Sequence, residues 1–120
     1  MGKILMVEDD PGIMEVSRII LEKAGHTFIG LKEGQTILEA VAINNPDLIL
    51  LDLMLPGVNG SEIAMRLKET PETKDIPVVV VSARYNIKQI AEEIGSDGYL
   101  SKPFEIEDLT NLADKYLEKA

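Results

Sequence analysis

Three uninterrupted apolar runs, Ile4–Val7, Leu48–Leu51 and Val78–Val81, constrain this chain more than anything else in it. A run without alternation has no side to show to water, so the strand it makes is covered on both faces, as in a parallel sheet. Stretches of helical spacing lie between the runs. Ile13, Val16, Ile20, Leu21 and Ala24 form one stripe, with Glu15, Arg18 and Glu22 directed away from it. Ile37, Leu38, Val41 and Ala42 form a second, and Ile63, Ala64 and Leu67 a third. Ile87, Ile90, Ala91 and Ile94 form a fourth, and Leu109, Leu112, Ala113, Tyr116 and Leu117 a fifth. Two weaker strands, Thr27–Leu31 and Gly98–Ser101, complete the rhythm. Pro11 stands just inside the first helix and Gly25 just past its end. Asn45-Pro46-Asp47 and Thr70-Pro71 close the second and third helices.

Strict alternation of five strands with five helices predicts an α/β fold: a parallel sheet, doubly wound, with helices on both faces. No linker interrupts the 120 residues, so one domain over 1–120 is expected. The chain has no cysteine and one histidine, which excludes disulfides, thiolate metal sites and multi-histidine sites. A formal net charge of -9 opposes binding to nucleic-acid backbones and anionic lipid. No apolar run approaches the ~20 residues of a membrane span. Acids follow the first apolar run at once, which does not fit a secretory signal, and a cytoplasmic location is expected. His26, in the turn before the second strand, reads as a surface or turn residue remote from any site.

In an open parallel sheet the functional site lies beyond the carboxyl ends of the strands, where strand order reverses. Glu8, Asp9 and Asp10 follow the first strand, Asp52 ends the third, Ser82 the fourth, and Lys102-Pro103 the fifth. Asp10 before Pro11 reads as a helix N-cap. Clustered Glu8, Asp9 and Asp52 repel one another unless a cation compensates them. The available donors are all oxygens, which favours a hard ion, Mg²⁺ or Mn²⁺. Lys102 is a flexible point charge able to reach a phosphoryl oxygen. Ser82 reads either as a strand-end cap or as a donor to the same phosphoryl group. Tyr99 reads as strand packing or as a side chain that moves.

From about Lys3 to about Leu117 the chain resembles the receiver domain of two-component response regulators. Glu8-Asp9 resemble the acidic pair of that family. Asp52, within Leu50-Leu51-Asp52-Leu53-Met54-Leu55-Pro56-Gly57, resembles its phosphoacceptor. Asn59-Gly60, Ser82-Ala83 and Lys102-Pro103-Phe104 resemble its remaining motifs. The resemblance implies a flavodoxin-like (βα)5 fold with strand order 2-1-3-4-5. It implies Mg²⁺ held by Asp9, Asp52 and the main-chain carbonyl of Met54, with Glu8 acting through water. Asp52 would take a phosphoryl group from a phosphohistidine on a histidine kinase or histidine phosphotransfer protein. Lys102 would neutralise the phosphoryl oxygens, Ser82 would bond them, and Tyr99 would fill the space behind Ser82. A cis bond between Lys102 and Pro103 is also implied. Such a domain catalyses only its own phosphorylation and dephosphorylation.

Some positions depart from the commonest family pattern. Ser82 replaces a frequent threonine and keeps the hydroxyl. Gly98 is expected to loosen the start of the fifth strand. Met54 and Arg84 match positions that tune the lifetime of the phosphoryl group. A downstream partner is expected on the face of helix four, strand five and helix five. Residues 92–120 carry Glu92, Glu93, Asp97, Glu105, Glu107, Asp108, Asp114 and Glu118 against Lys102, Lys115 and Lys119, a balance of -5. That balance predicts a basic partner rather than self-pairing.

Three rivals fail on composition or spacing. An FMN domain needs a hydroxyl-rich phosphate loop and stacking aromatics, and aromatics are 4% here. A dehalogenase-like aspartyl phosphohydrolase needs a second aspartate where Met54 stands. No Gly-x-Gly or Gly-Lys-Ser/Thr string supports a nucleotide-binding domain. The alternative of a degenerate receiver, binding protein without phosphorylation, is opposed by the retained Glu8, Asp9, Asp52, Ser82 and Lys102. Both a stand-alone regulator and the receiver of a longer protein fit the chain.

Overall fold

The computed structural model describes residues 2–33 and 36–117. In chain order it contains β1 (Lys3–Val7), α1 (Pro11–Lys23), β2 (Thr27–Leu31), α2 (Ile37–Asn44), β3 (Leu48–Asp52), α3 (Gly60–Glu69), β4 (Val78–Ser82), α4 (Ile87–Ile94), β5 (Gly98–Ser101) and α5 (Ile106–Leu117). All five strands pair in parallel in one sheet of order β2-β1-β3-β4-β5. The chain moves outward from β1 to β2, then crosses back to β3. The order therefore reverses at β1 and β3, and a crevice opens above their carboxyl ends.

Each apolar run feeds two cores. Leu5, Val7, Ile49, Leu51, Val78 and Val80 face α2, α3 and α4. Ile4, Met6, Leu48, Leu50, Val79 and Val81 face α1 and α5. This is why these strands carry no alternation: consecutive side chains point to opposite faces, and both faces are dry.

Two helices turn differently from the stripes read in the sequence. In α1 the buried residues are Met14, Ser17 and Leu21, while Val16 is 50% exposed and Ala24 faces solvent. The cause is Gly30 on β2: a Cβ there would stand 2.7 Å from the Met14 sulfur, so the bare backbone seats Met14. In α2 only Ile37 and Val41 are buried, and Leu38 and Ala42 are exposed. α2 ends its layer, with α3 as its neighbour, and offers the sheet a single i,i+4 pair. The stripes of α4 and α5 pack as read.

His26 is buried, contrary to the surface reading. Its Nδ1 accepts the Gly2 N–H at 3.1 Å, beside the Thr27 N–H to Gly2 carbonyl bond at 2.9 Å. The imidazole ties the start of β1 to the start of β2. Gly98 also has a packing reason rather than a loosening one. A Cβ there would lie 2.6 Å from the Tyr116 hydroxyl, which donates to the Asp97 carbonyl at 2.9 Å. β5 keeps its register from Val79↔Gly98 onward.

Asp97 joins four elements. Its carboxylate accepts the Val78 N–H and the Lys68 ammonium, each at 2.7 Å, and its carbonyl accepts Tyr116 from α5. Lys68 also donates to the Ile76 carbonyl at 2.9 Å, which fastens the end of α3 to the start of β4. Truncation by Asp97→Ala leaves a part-buried N–H without its acceptor. A loss of about 2 kcal/mol is expected from urea denaturation. Asp75→Ala, on the exposed loop before β4, should change stability by less than about 0.5 kcal/mol.

Candidate functional site

The crevice above β1 and β3 gathers the sequence-predicted residues. β1 pairing runs one residue past Val7, because the Glu8 N–H donates to the Leu31 carbonyl at 2.9 Å. That extra bond draws Glu8 inward to 1% exposure and leaves Asp9 outside. Asp10 turns away to cap α1, its carboxylate accepting from the N–H groups of Gly12 at 2.8 Å and Ile13 at 3.0 Å. An acid at a helix N-terminus satisfies free donors and meets the positive end of the dipole.

Asp52 ends β3 with 2% exposure. One carboxylate oxygen accepts the Met54 N–H at 2.8 Å, and the other accepts the Lys102 ammonium at 2.9 Å. The turn that follows is tight because α3 begins close by. A Cβ on Gly60 would stand 3.0 Å from the Leu53 Cα, so a bare backbone is needed there. Asn59 caps α3, its side-chain oxygen accepting the Glu62 N–H at 3.1 Å.

Lys102 arrives from the far edge of the sheet. Its N–H continues the ladder to the Ser82 carbonyl at 3.0 Å, and its bond to Pro103 is cis, as the resemblance implied. The ammonium lies 2.9 Å from an Asp52 oxygen and 2.9 Å from Oε1 of Glu8. The Glu8 approach is a charge contact rather than an aligned hydrogen bond, so this buried oxygen has no donor aimed at it. Ser82 is fully buried and its hydroxyl oxygen accepts the Arg84 N–H at 3.1 Å. That bond leaves the hydroxyl hydrogen free to donate. Tyr99 is 41% exposed, on the outer side of β5.

Electrostatics follow from this geometry. Burial is the largest influence on Glu8 and pushes its carboxyl above the usual range. Lys102 and the Asp10 N–H pull it back, and the Asp52 charge pushes it up again. Burial opposes the charge on Lys102, but its contacts with Glu8 and Asp52 outweigh burial and hold the ammonium above its usual range. One lysine therefore faces two buried carboxylates, with a third at the rim. Glu8, Asp9 and Asp52 each offer an oxygen, all within 4.8 Å of one another. An all-oxygen set with surplus negative charge fits a hard divalent cation.

The sequence reading missed one feature. A cleft of about 540 Å³ opens beside Lys102, lined by Ile13, Val16, Ala83, Pro103 and Phe104. Its signal was misassigned, because Val16 was placed in the core stripe of α1.

Two outcomes test this electrostatic picture. Lys102→Met strands two buried carboxylates, so in EDTA the protein should lose about 3 kcal/mol. Added Mg²⁺ should raise the melting temperature of this variant by more than that of wild type. In EDTA, wild type should also gain stability relative to Glu8→Gln as pH falls from about 7 to about 5. An acid with a raised folded pKa favours the folded state as it takes up its proton, and loses that advantage as pH rises. Urea midpoints across that range measure the difference.

The chain matches the family model described as "Response regulator receiver domain" over residues 4–114. It is 40% identical over 115 residues to the DNA-binding dual master transcriptional regulator RpaA of Synechocystis, covering 91% of this chain and 46% of that one. The chain thus spans about half the length of the curated relatives it matches. Among solved structures, a putative response regulator from Chloroflexus aurantiacus superposes with a TM-score of 0.90 at 28% identity, covering 98% of each chain. The Mn²⁺-bound form of response regulator Rcp1 superposes with a TM-score of 0.85 at 27% identity, covering 100% of this chain and 97% of that one. Fold, strand-end carboxylates, lysine and family match agree: the chain belongs to the response regulator receiver domain family of two-component systems.

Proposed function

We infer that this domain is a phosphorylation-operated switch with Asp52 as its phosphoacceptor. The observation that carries the reading is the surroundings of Asp52. Its carboxylate is buried at the switch point, with Lys102 at 2.9 Å and oxygens of Glu8 and Asp9 within 4.8 Å. The phosphodonor is a phosphohistidine on a histidine kinase or histidine phosphotransfer protein. An Asp52 oxygen attacks phosphorus, the P–N bond breaks, and the donor imidazole leaves with the bonding pair and takes up a proton. Asp9, Asp52 and the Met54 carbonyl would hold Mg²⁺ or Mn²⁺, with Glu8 close by, and the ion when bound would supply charge neutralisation at the phosphoryl oxygens.

The chain's own residues do the rest. The Met54 N–H orients the Asp52 carboxylate. Lys102 already stands between Glu8 and Asp52, and a short swing carries its ammonium to a phosphoryl oxygen. Ser82 donates its free hydroxyl hydrogen to the same group. Drawing Ser82 toward the phosphoryl group opens space beneath it, and Tyr99 turns inward to fill it, which changes the face formed by α4, β5 and α5. New charge-assisted bonds bias that equilibrium. The apolar cleft beside Lys102, the residue in contact with Asp52, receives the phosphodonor protein. The domain acts on no separate substrate and catalyses only gain and loss of its own phosphoryl group.

Acetyl phosphate with Mg²⁺ tests the acceptor. Intact mass should show one added phosphoryl group on wild type, lost in base, and none on Asp52→Asn. An unlabelled wild type under saturating donor and metal overturns the reading. Ser82→Ala should still be labelled, but amide NMR shifts along α4, β5 and α5 on beryllofluoride binding should shrink by more than half of the wild-type change.

A further inference from the structure

The charges counted over residues 92–120 do not gather on one face. Glu92 and Lys115 line a groove beside β5, together with Lys88. Asp97 is engaged by Lys68 at 2.7 Å, and Glu118 and Lys119 lie outside the described residues. Glu93 lines a different cleft, of about 530 Å³, between α3 and α4. That volume falls within the roughly 300–1,000 Å³ of small-molecule sites.

The cleft has two chemically different ends. α3 follows β3 and α4 follows β4, so both helices start at the carboxyl edge of the sheet. At that end Asn59, Ser61 and Arg84 present hydrogen-bond donors. The Asn59 side-chain oxygen already accepts the Glu62 N–H at 3.1 Å, which leaves its amide hydrogens for a ligand. Arg84 is exposed, and its guanidinium forms no ion pair among the described residues. Glu93 stands farther along α4, six residues beyond Ile87, a rise of about 9 Å. Between the two charges the lining is apolar, with Leu53, Met65 and Ile90. A simple carboxylate is attracted at Arg84 and repelled at Glu93, and a simple amine meets the reverse. A molecule that carries both charges satisfies both ends.

We propose that this cleft binds a small dipolar molecule, an amino carboxylate with an apolar middle, its carboxylate at Arg84 and its ammonium at Glu93. The donor end is carried by the loops that follow Asp52 and Ser82. The Arg84 N–H donates to the Ser82 hydroxyl oxygen at 3.1 Å, so a ligand on Arg84 holds the segment from which Ser82 must move. Coupling to Asp52 rests on the receiver reading above, and its sign favours the unphosphorylated state.

Amide NMR titration of the full chain tests the assignment, since it detects weak binding and locates it. The probes share one chain length: 8-aminooctanoate, octanoate and protonated octylamine. The first should shift the amides of Ser61, Met65, Arg84 and Glu93 and bind at least about fivefold more tightly than the other two. Arg84→Glu and Glu93→Lys should each weaken it by about fivefold or more. Combining the two should recover the wild-type affinity to within about threefold, because exchanged charges accept the same molecule in reverse. A merely structural role gives no such recovery. Acetyl-phosphate labelling of Glu93→Lys should stay at the wild-type level, since Glu93 bonds Gln89 of its own helix and not the site. Absence of shifts at these amides, equal binding of the three probes, or no recovery in the double variant overturns the proposal. Beryllofluoride should weaken 8-aminooctanoate binding to wild type by about threefold or more. Equal affinity with and without it overturns the coupling alone, and the titration without beryllofluoride decides the cleft assignment.

Discussion

Strands buried on both faces have no place for a charge except at their ends. In this chain that constraint decides where chemistry sits. β1, β3 and β4 pack apolar side chains into two cores, so the first polar group along each of them, Glu8, Asp52 or Ser82, falls just past the last residue the cores can accept. Parallel pairing sets those ends side by side. β5 brings Lys102 to the same level through its bond to the Ser82 carbonyl. The site is the place where the sheet's polar residues are forced together.

Convergence of like charges has a cost, and Lys102 offsets it. One ammonium lies within 2.9 Å of two carboxylates that are almost wholly buried. The compensation is incomplete: Glu8 keeps a raised pKa and an oxygen without an aligned donor. A site with this surplus favours a cation, and with it a phosphoryl group that the carboxylates alone would repel. Under the proposed function, the lysine that stabilises the resting arrangement is also the one that would meet an incoming phosphoryl group.

Much of this was legible in the residues. Four-residue apolar runs have one structural meaning when helical stretches separate them, and strand ends follow from where the runs stop. Asp10 as a cap, Asp52 and Lys102 at the site, and the strand bounds of Thr27–Leu31 and Gly98–Ser101 all appear where they were read. Errors arose where a position's environment is set by a distant residue. Val16 looked like core by spacing, yet the missing Cβ at Gly30 seats Met14 instead and leaves Val16 beside the cleft. His26 looked like a turn residue, yet the start of β1 lies over it. Gly98 looked like a weak strand start, yet it makes room for a tyrosine hydroxyl from α5.

The sequence by itself determined the class of fold, the edge of the sheet that carries function, and the chemical nature of the groups there. It did so because hydrophobic period and residue type are local properties of a chain. Only the tertiary structure decided which way each helix turns, which carboxylate the lysine reaches, and what charge a surface presents. The net charge of -9 is a sum over residues, and sums carry no direction. Folding spends Asp97 on Lys68 and directs Glu93 into another cleft, so the groove beside β5 sets Lys88 and Lys115 against Glu92 on an acidic protein. Contact between residues far apart in the chain sets that balance, and contact exists only once the chain has folded.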